Sequence, residues 1–133
     1  MPKAGIIKEL LVKTENRVGM LAELTEAISK SGVNVTAVSA FAVGREAIFR
    51  IVTSDNLKAI GGIKAKNFEA LERDAVVVEL ENEVGKAADM ADKLTKSNID
   101  INYIYGTTSK AADPCTLIFN CSDNKKAVEV ING

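Results

Sequence analysis

The chain contains no histidine and no tryptophan. Without histidine there is no Ser-His-Asp or Cys-His catalysis and no histidine-ligated zinc. Aromatic residues are only 5% of the sequence. Base-stacking sheets that bind RNA need several aromatics on exposed strands, and here Tyr103 and Tyr105 alone form an aromatic pair, so that class is disfavoured. Neither sign of charge is in excess: the formal net charge is −1. A nucleic-acid binder carries a basic footprint, so no nucleic-acid partner is expected. No run approaches the roughly 18 uncharged apolar residues of a membrane helix. The first residues, Met-Pro-Lys-Ala-Gly, lack the apolar core of a signal peptide, so a cytoplasmic location is expected. The two cysteines, Cys115 and Cys121, sit on one strand, roughly 20 Å apart at about 3.3 Å per residue, too far to bridge. They read as free thiols in a reducing compartment. Neither lies in a Cys-x-x-Cys pair of the kind that binds metal.

What remains is a globular balance, 47% hydrophobic and 26% charged over 133 residues. That length holds one ordinary domain or two very small ones. Internal similarity favours two. A shift of 66 places Glu15-Asn16-Arg17-Val18-Gly19 on Glu81-Asn82-Glu83-Val84-Gly85. It also places Lys30 to Val35 on Lys96 to Ile101. A shift of 68 places Ser54-Asp55-Asn56 on Ser122-Asp123-Asn124. The difference falls in the loop Gly106 to Pro114. The repeat predicts modules at residues 1–71 and 72–133.

The local patterns give each copy its elements. Ile6 to Lys13 reads as a strand. Asn16 reads as a helix cap, followed by an apolar stripe of Met20, Leu21, Leu24, Ala27 and Ile28 at helical spacing. Ser31-Gly32 stops that helix. Val33 to Val43 and Ala47 to Thr53 read as strands joined by a turn at Gly44-Arg45. Ser54-Asp55 caps a short helix carrying Leu57 and Ile60, and Ala65 to Leu71 reads as a fourth strand. In the second copy Ala75 to Leu80 is a strand. Val84 to Ser97 is a helix with Ala87, Met90, Ala91 and Leu94 inward. Ile99 to Tyr105 and Cys115 to Cys121 are strands, and Asp123 to Ile131 is a helix. The fold class is therefore α+β: two ferredoxin-like βαββαβ modules in tandem, the second lacking its final strand. An unfilled strand position is a liability. Another segment, from the first copy or another chain, is expected along it, and a homodimer follows. Ile48, Val52 and Ile118 make the sheet face away from the helices partly apolar.

The chemistry lies where the first strand of each copy enters its first helix. A helix N-terminus presents unpaired N–H groups and a positive dipole end, which suits a carboxylate. Gly19 and Gly85 let a ligand approach the backbone. Asn16 and Asn82 offer a donor and an acceptor at the rim. The bland alternative is that the asparagines only cap and the glycines only pack. Lys13, Glu15 and Arg17 read as solvated loop surface, and Asp89 and Asp92 as an exposed helix face, not a metal site. Gly61-Gly62 lacks the ending of a phosphate loop.

The segments Asn16-Arg17-Val18-Gly19-Met20-Leu21 and Gly32-Val33-Asn34-Val35 resemble the opening of the ACT family of small-molecule-binding regulatory domains. Asn82-Glu83-Val84-Gly85 and Asn98-Ile99-Asp100-Ile101 repeat it, so the resemblance covers the chain as two tandem modules. The family has proline where this chain has Val18 and Val84, and some members have histidine where it has Thr14 and Leu80. The resemblance implies a non-catalytic, cofactor-free, cytoplasmic regulator. It would bind an amino acid through Thr14, Asn16, Val18, Gly19, Met20, Leu21 and Asn34. Asn82, Gly85 and Asp100 are their counterparts, and Leu80 favours a structural role there. It also implies a separately encoded enzyme as the regulated partner. A small enzyme on the same fold and a purely structural interaction module are the competing readings.

Overall fold

The computed structural model describes residues 2–107 and 113–133. Its elements run β1 (Lys3–Glu15), α1 (Met20–Lys30), β2 (Val35–Val43), β3 (Glu46–Thr53), α2 (Asn56–Ala65), β4 (Leu71–Leu80), α3 (Lys86–Lys96), β5 (Ile101–Thr107), β6 (Cys115–Cys121) and α4 (Asn124–Asn132). The architecture is α+β, built of duplicated ferredoxin-like halves. The chain forms two compact units. One is Lys8–Arg73; the other joins the N-terminal segment through Ile7 to Asp74–Gly133.

In the first unit β3 lies between β2 and β1, antiparallel to both. Val12 faces Phe49 and Leu10 faces Ile51 across the strands. These alternate residues point to the helices and are buried. Helix α1 buries Met20, Leu24, Ala27 and Ile28 against them. Leu21, read with that stripe, is half exposed, because it lies about 100° round the helix from Met20. Helix α2 buries Ala59 and Ile63, while Leu57 is exposed and Ile60 is only partly covered. The phase of α2 follows from Gly62. A Cβ there would sit 2.8 Å from the Ala27 carbonyl oxygen and collide with Ser31 Oγ, so the bare backbone of α2 rests on α1. Gly61-Gly62 is thus a helix-packing feature.

The segment read as a fourth strand, Ala65 to Leu71, is not one. Lys66 and Asn67 close α2 instead: their N–H groups bond Ile63 O and Lys64 O, and Asn67 takes a left-handed φ of 66°. The strand begins only at Leu71, and what reads as two strands is one, β4.

In the second unit β6 lies between β4 and β5, antiparallel to both. Val76, Val78, Leu80, Phe119, Met90 and Leu94 lead its core. Ala87 and Ala91, read as inward, are exposed, since the narrow stripe of Met90 and Leu94 alone faces the sheet. Ile118, read as part of an open face, is buried between Val77 and Tyr105, which face it across the strands. The Tyr103 and Tyr105 rings stack on that face at 6.5 Å. The fourth position in this unit belongs to the start of β1. Ala4 packs on its core, and the Asn132 side chain clamps the Ala4 backbone in both directions, at 2.8 and 3.0 Å. Residues 108–112, within the loop that carries the two-residue length difference, lie outside the described residues.

The duplication recurs atom by atom. Asn34 N–H bonds Ser54 Oγ at 3.0 Å, and Asp100 N–H bonds Ser122 Oγ at 3.1 Å. Asp55 caps α2 through Lys58 N–H, and Asp123 caps α4 through Lys126 N–H. Asn56 Nδ2 donates to Lys8 O, and Asn124 Nδ2 to Asp74 O. Both cysteines are free. Burial pushes the Cys121 thiol up, which keeps it protonated and inert at neutral pH.

Two pairs of measurements test this packing. Gly62→Ala should lower stability by about 1–3 kcal/mol through overpacking. Gly61→Ala, which meets open space, should raise it by about 0.5–1 kcal/mol. Urea midpoints that move in the same direction for both would contradict the role of Gly62. Asn132→Ala removes two bonds to the N-terminal segment and should cost about 1–3 kcal/mol. Amide exchange at Ala4 should then rise ahead of exchange in α1.

Candidate functional site

The turn after β1 is fixed before any helix forms. Thr14 faces Ala47 and Glu15 faces Glu46 at the end of the β1–β3 ladder. Asn16 N–H then donates to Arg45 O at 2.7 Å, tying the turn to the β2–β3 hairpin, which reverses at Gly44 with a φ of 61°. Thr14 is nearly buried and its hydroxyl donates to Glu15 O. Arg17 places Nε 2.9 Å from Glu15 Oε1 and its other end on Glu23. Glu23 and then Glu15 raise its pKa further, so the guanidinium stays charged. Val18 is fully exposed.

Asn16 does not cap α1. The cap is Gly19, left-handed at φ 92° and ψ −2°, and no side-chain cap bond is made. Gly85 does the same for α3 at φ 88° and ψ −7°. The helix is entered through a backbone conformation that only glycine adopts cheaply, so the chain turns without spending a side chain. Glu23 N–H is the first to find a helical acceptor, at Gly19 O. By helix geometry Leu21 and Ala22 N–H have none. They mark the positive end of the α1 dipole.

Beside them lies a cleft of about 280 Å³. Its walls are the turn residues Asn16, Arg17, Gly19, Met20 and Leu21, and the strand residues Ala40, Phe41, Ala42, Ala47 and Phe49. Ala40 faces Phe49 and Ala42 faces Ala47 across β2 and β3, so these four share one side of the sheet. A broad open depression adjoins it at Lys13, Thr14, Glu15 and Arg45.

The structure thus gathers Asn16, Gly19, Met20 and Leu21, with Thr14 just behind. Val18 points away. Asn34 is at the other end of β2, roughly 25 Å from Ala42 at about 3.3 Å per residue, and its backbone is held by Ser54. Within the first unit it does not meet Asn16. In the second unit Asn82 is exposed and Gly85 keeps its left-handed turn. Leu80, however, is buried where the first copy has Thr14, and Lys86 stands where it has Met20, pairing with Glu81 at 4.0 Å. Asp100 is held by Ser122 as Asn34 is by Ser54. Sequence reasoning missed Arg17, read as solvated surface, and the strand residues Ala40, Phe41, Ala42, Ala47 and Phe49. The signal was present in the hairpin at Gly44, whose antiparallel register folds those residues back over the turn.

Both copies share the ferredoxin-like strand order and a first helix entered through a left-handed glycine. The sequence matches the family described as ACT domain pair over residues 5–132, and the chain belongs to that family. No curated protein matches it. Among solved structures, a protein from Bacteroides thetaiotaomicron superposes with a TM-score of 0.88 at 26% identity, over 97% of this chain and 88% of that one. The ligand-free regulatory subunit of aspartate kinase from Thermus thermophilus superposes at 0.67 with 16% identity, over 97% and 94%. Aspartate kinase from Clostridium acetobutylicum superposes at 0.59 with 17% identity, over 98% of this chain but 32% of that one. At these identities the two kinase likenesses establish the fold. Among the described residues no helix is long and apolar enough to cross a membrane.

Gly19→Ala and Gly85→Ala should each destabilise by about 1–2 kcal/mol, because a side chain is forced into the left-handed region. Thermal melting checks this. A stabilised Gly19→Ala variant would mean the turn relaxes and does not define the site.

Proposed function

We propose that the chain is a non-catalytic sensor that binds a free amino acid at the turn Asn16 to Leu21 and reports its level to a separately encoded enzyme. The observation that carries this reading is the cleft at the uncapped start of α1. There a carboxylate can accept from Leu21 and Ala22 N–H, on the positive end of the helix dipole. The Asn16 side-chain oxygen, exposed at the rim, can accept from the ammonium. The partner is inferred from the solved relatives, one a regulatory subunit and one a whole kinase described as allosteric. The location that fits such a partner is the cytoplasm.

Asn34 joins this site only if another module brings its β2 start to the turn. Strand β2, Val35–Val43, carries no charged residue and no proline and ends the strand order of its unit. An uncharged edge is a template for pairing. We therefore keep the homodimer, with β2 as the strand that pairs. Asn82, Gly85 and Asp100 repeat the backbone of the site, but Leu80 and Lys86 replace its polar and apolar contacts, and we assign them a structural role.

Melting curves with a panel of amino acids should show a rise for at least one, by mass action on the native state. Asn16→Ala should weaken that ligand about two- to tenfold, by loss of one hydrogen bond. Its melting temperature without ligand should stay near wild type, since Asn16 is not the cap. If calorimetry detects no proteinogenic amino acid at millimolar concentration, a purely structural module replaces the sensor. Light scattering should report a dimer at micromolar concentration.

A further inference from the structure

The lining of the cleft also defines the side chain it takes. Its floor is Ala40, Ala42, Ala47 and Phe49, and Met20 closes one end. Apart from Asn16 at the rim, the polar lining residue is Arg17. Two contacts of Arg17 are taken, Nε by Glu15 and one Nη by Glu23, and neither of those carboxylates lines the cleft. A charged or amide side chain seated on the alanines would lose water over a floor that offers it no hydrogen bond, with polar groups only at Asn16 and Arg17. An apolar one would gain contact with the exposed methyls of Ala40 and Ala42, above the buried Ala47, Phe49 and Met20. The three alanines make the room, and at about 280 Å³ the cleft falls just below the roughly 300–1,000 Å³ of sites for larger ligands.

We propose that the cleft selects an amino acid with an uncharged, apolar side chain, seated on Ala40, Ala42, Ala47 and Phe49, and rejects acidic, basic and amide side chains. This rests on the sensor reading and adds the ligand class to it. Ala40 and Ala42 are the positions that set the size of the accepted side chain, and both are exposed on β2, so they can be enlarged without disturbing the core.

Calorimetry on the full chain, with leucine, methionine, phenylalanine, asparagine, glutamate and lysine as probes, tests it. Leucine and asparagine have similar shape and differ in polarity. An apolar probe should bind about tenfold or more tighter than asparagine, glutamate and lysine. Ala42→Leu and Ala40→Leu should each weaken the best apolar probe by about tenfold or more, with unchanged melting temperature, because the added side chain fills its place. If an amide or charged probe binds as tightly as the apolar ones, the selectivity is overturned while the sensor reading stands. Affinity unchanged in both variants would put the side chain elsewhere and overturn it equally. No binding by any probe in the wild type defeats the sensor reading and this inference together. The probe panel on the wild type decides the question without the variants.

Discussion

Neither half of this chain closes a sheet with the strands of its own copy, and that constraint organises the rest. The unit Lys8–Arg73 ends on the first residues of β4, and the other unit begins with the first residues of β1. Each unit therefore draws one strand end from the strand that opens the other copy. A module of roughly 65 residues has a marginal core, and sharing strands is one way to complete it. Asn132 shows where the second unit needed help. Its side-chain amide pairs with the Ala4 backbone as a neighbouring strand would, so the N-terminal segment is held at its edge by side-chain bonds of a kind the sheet itself normally supplies.

The same economy governs the turns. Gly19 and Gly85 are the N-caps and enter their helices left-handed. The copies then diverge around an identical backbone. In the first, Thr14 and Met20 frame a turn that opens on a cleft. In the second, Leu80 is drawn into the core and Lys86 reaches back to Glu81. The left-handed glycine turn is preserved in both; the side chains of the candidate site are concentrated in one.

The repeat, the Asp55 cap, the hairpin at Gly44 and the free cysteines were legible in the sequence, whereas Asp123, read as the first residue of its helix, is the cap of α4. What was not legible depends on packing between elements. Leu57 and Ile60 look like the buried face of α2 until Gly62 brings that helix backbone onto Ala27 and rotates Ala59 and Ile63 inward. Ala87 and Ala91 have the right spacing for a core stripe but too little surface to compete with Met90 and Leu94 for the sheet. Ala65 to Leu71 has strand-like content, yet Asn67 is used to stop α2. The turn half of the candidate site was read from Asn16 to Leu21. The strand half was hidden because alanines carry no chemical signature, and only the pairing of Ala40 with Phe49 and Ala42 with Ala47 shows that they line anything.

That strand half is what lets a bound molecule matter beyond its own contacts. A ligand in the proposed cleft would touch the first turn of α1, the end of β2 and the first half of β3 together. It would stabilise the arrangement in which those three stand at that spacing. Strand β2 carries Ala40 and Ala42 on one side and ends its unit's strand order, so whatever pairs with that edge shares a strand with the ligand. Linkage then requires reciprocity: if ligand binding favours the paired edge, pairing favours the ligand by the same free energy. A site built from charged side chains on a helix alone would bind without that consequence. A site floored by the alanines of an edge strand would tie occupancy to assembly through a single element.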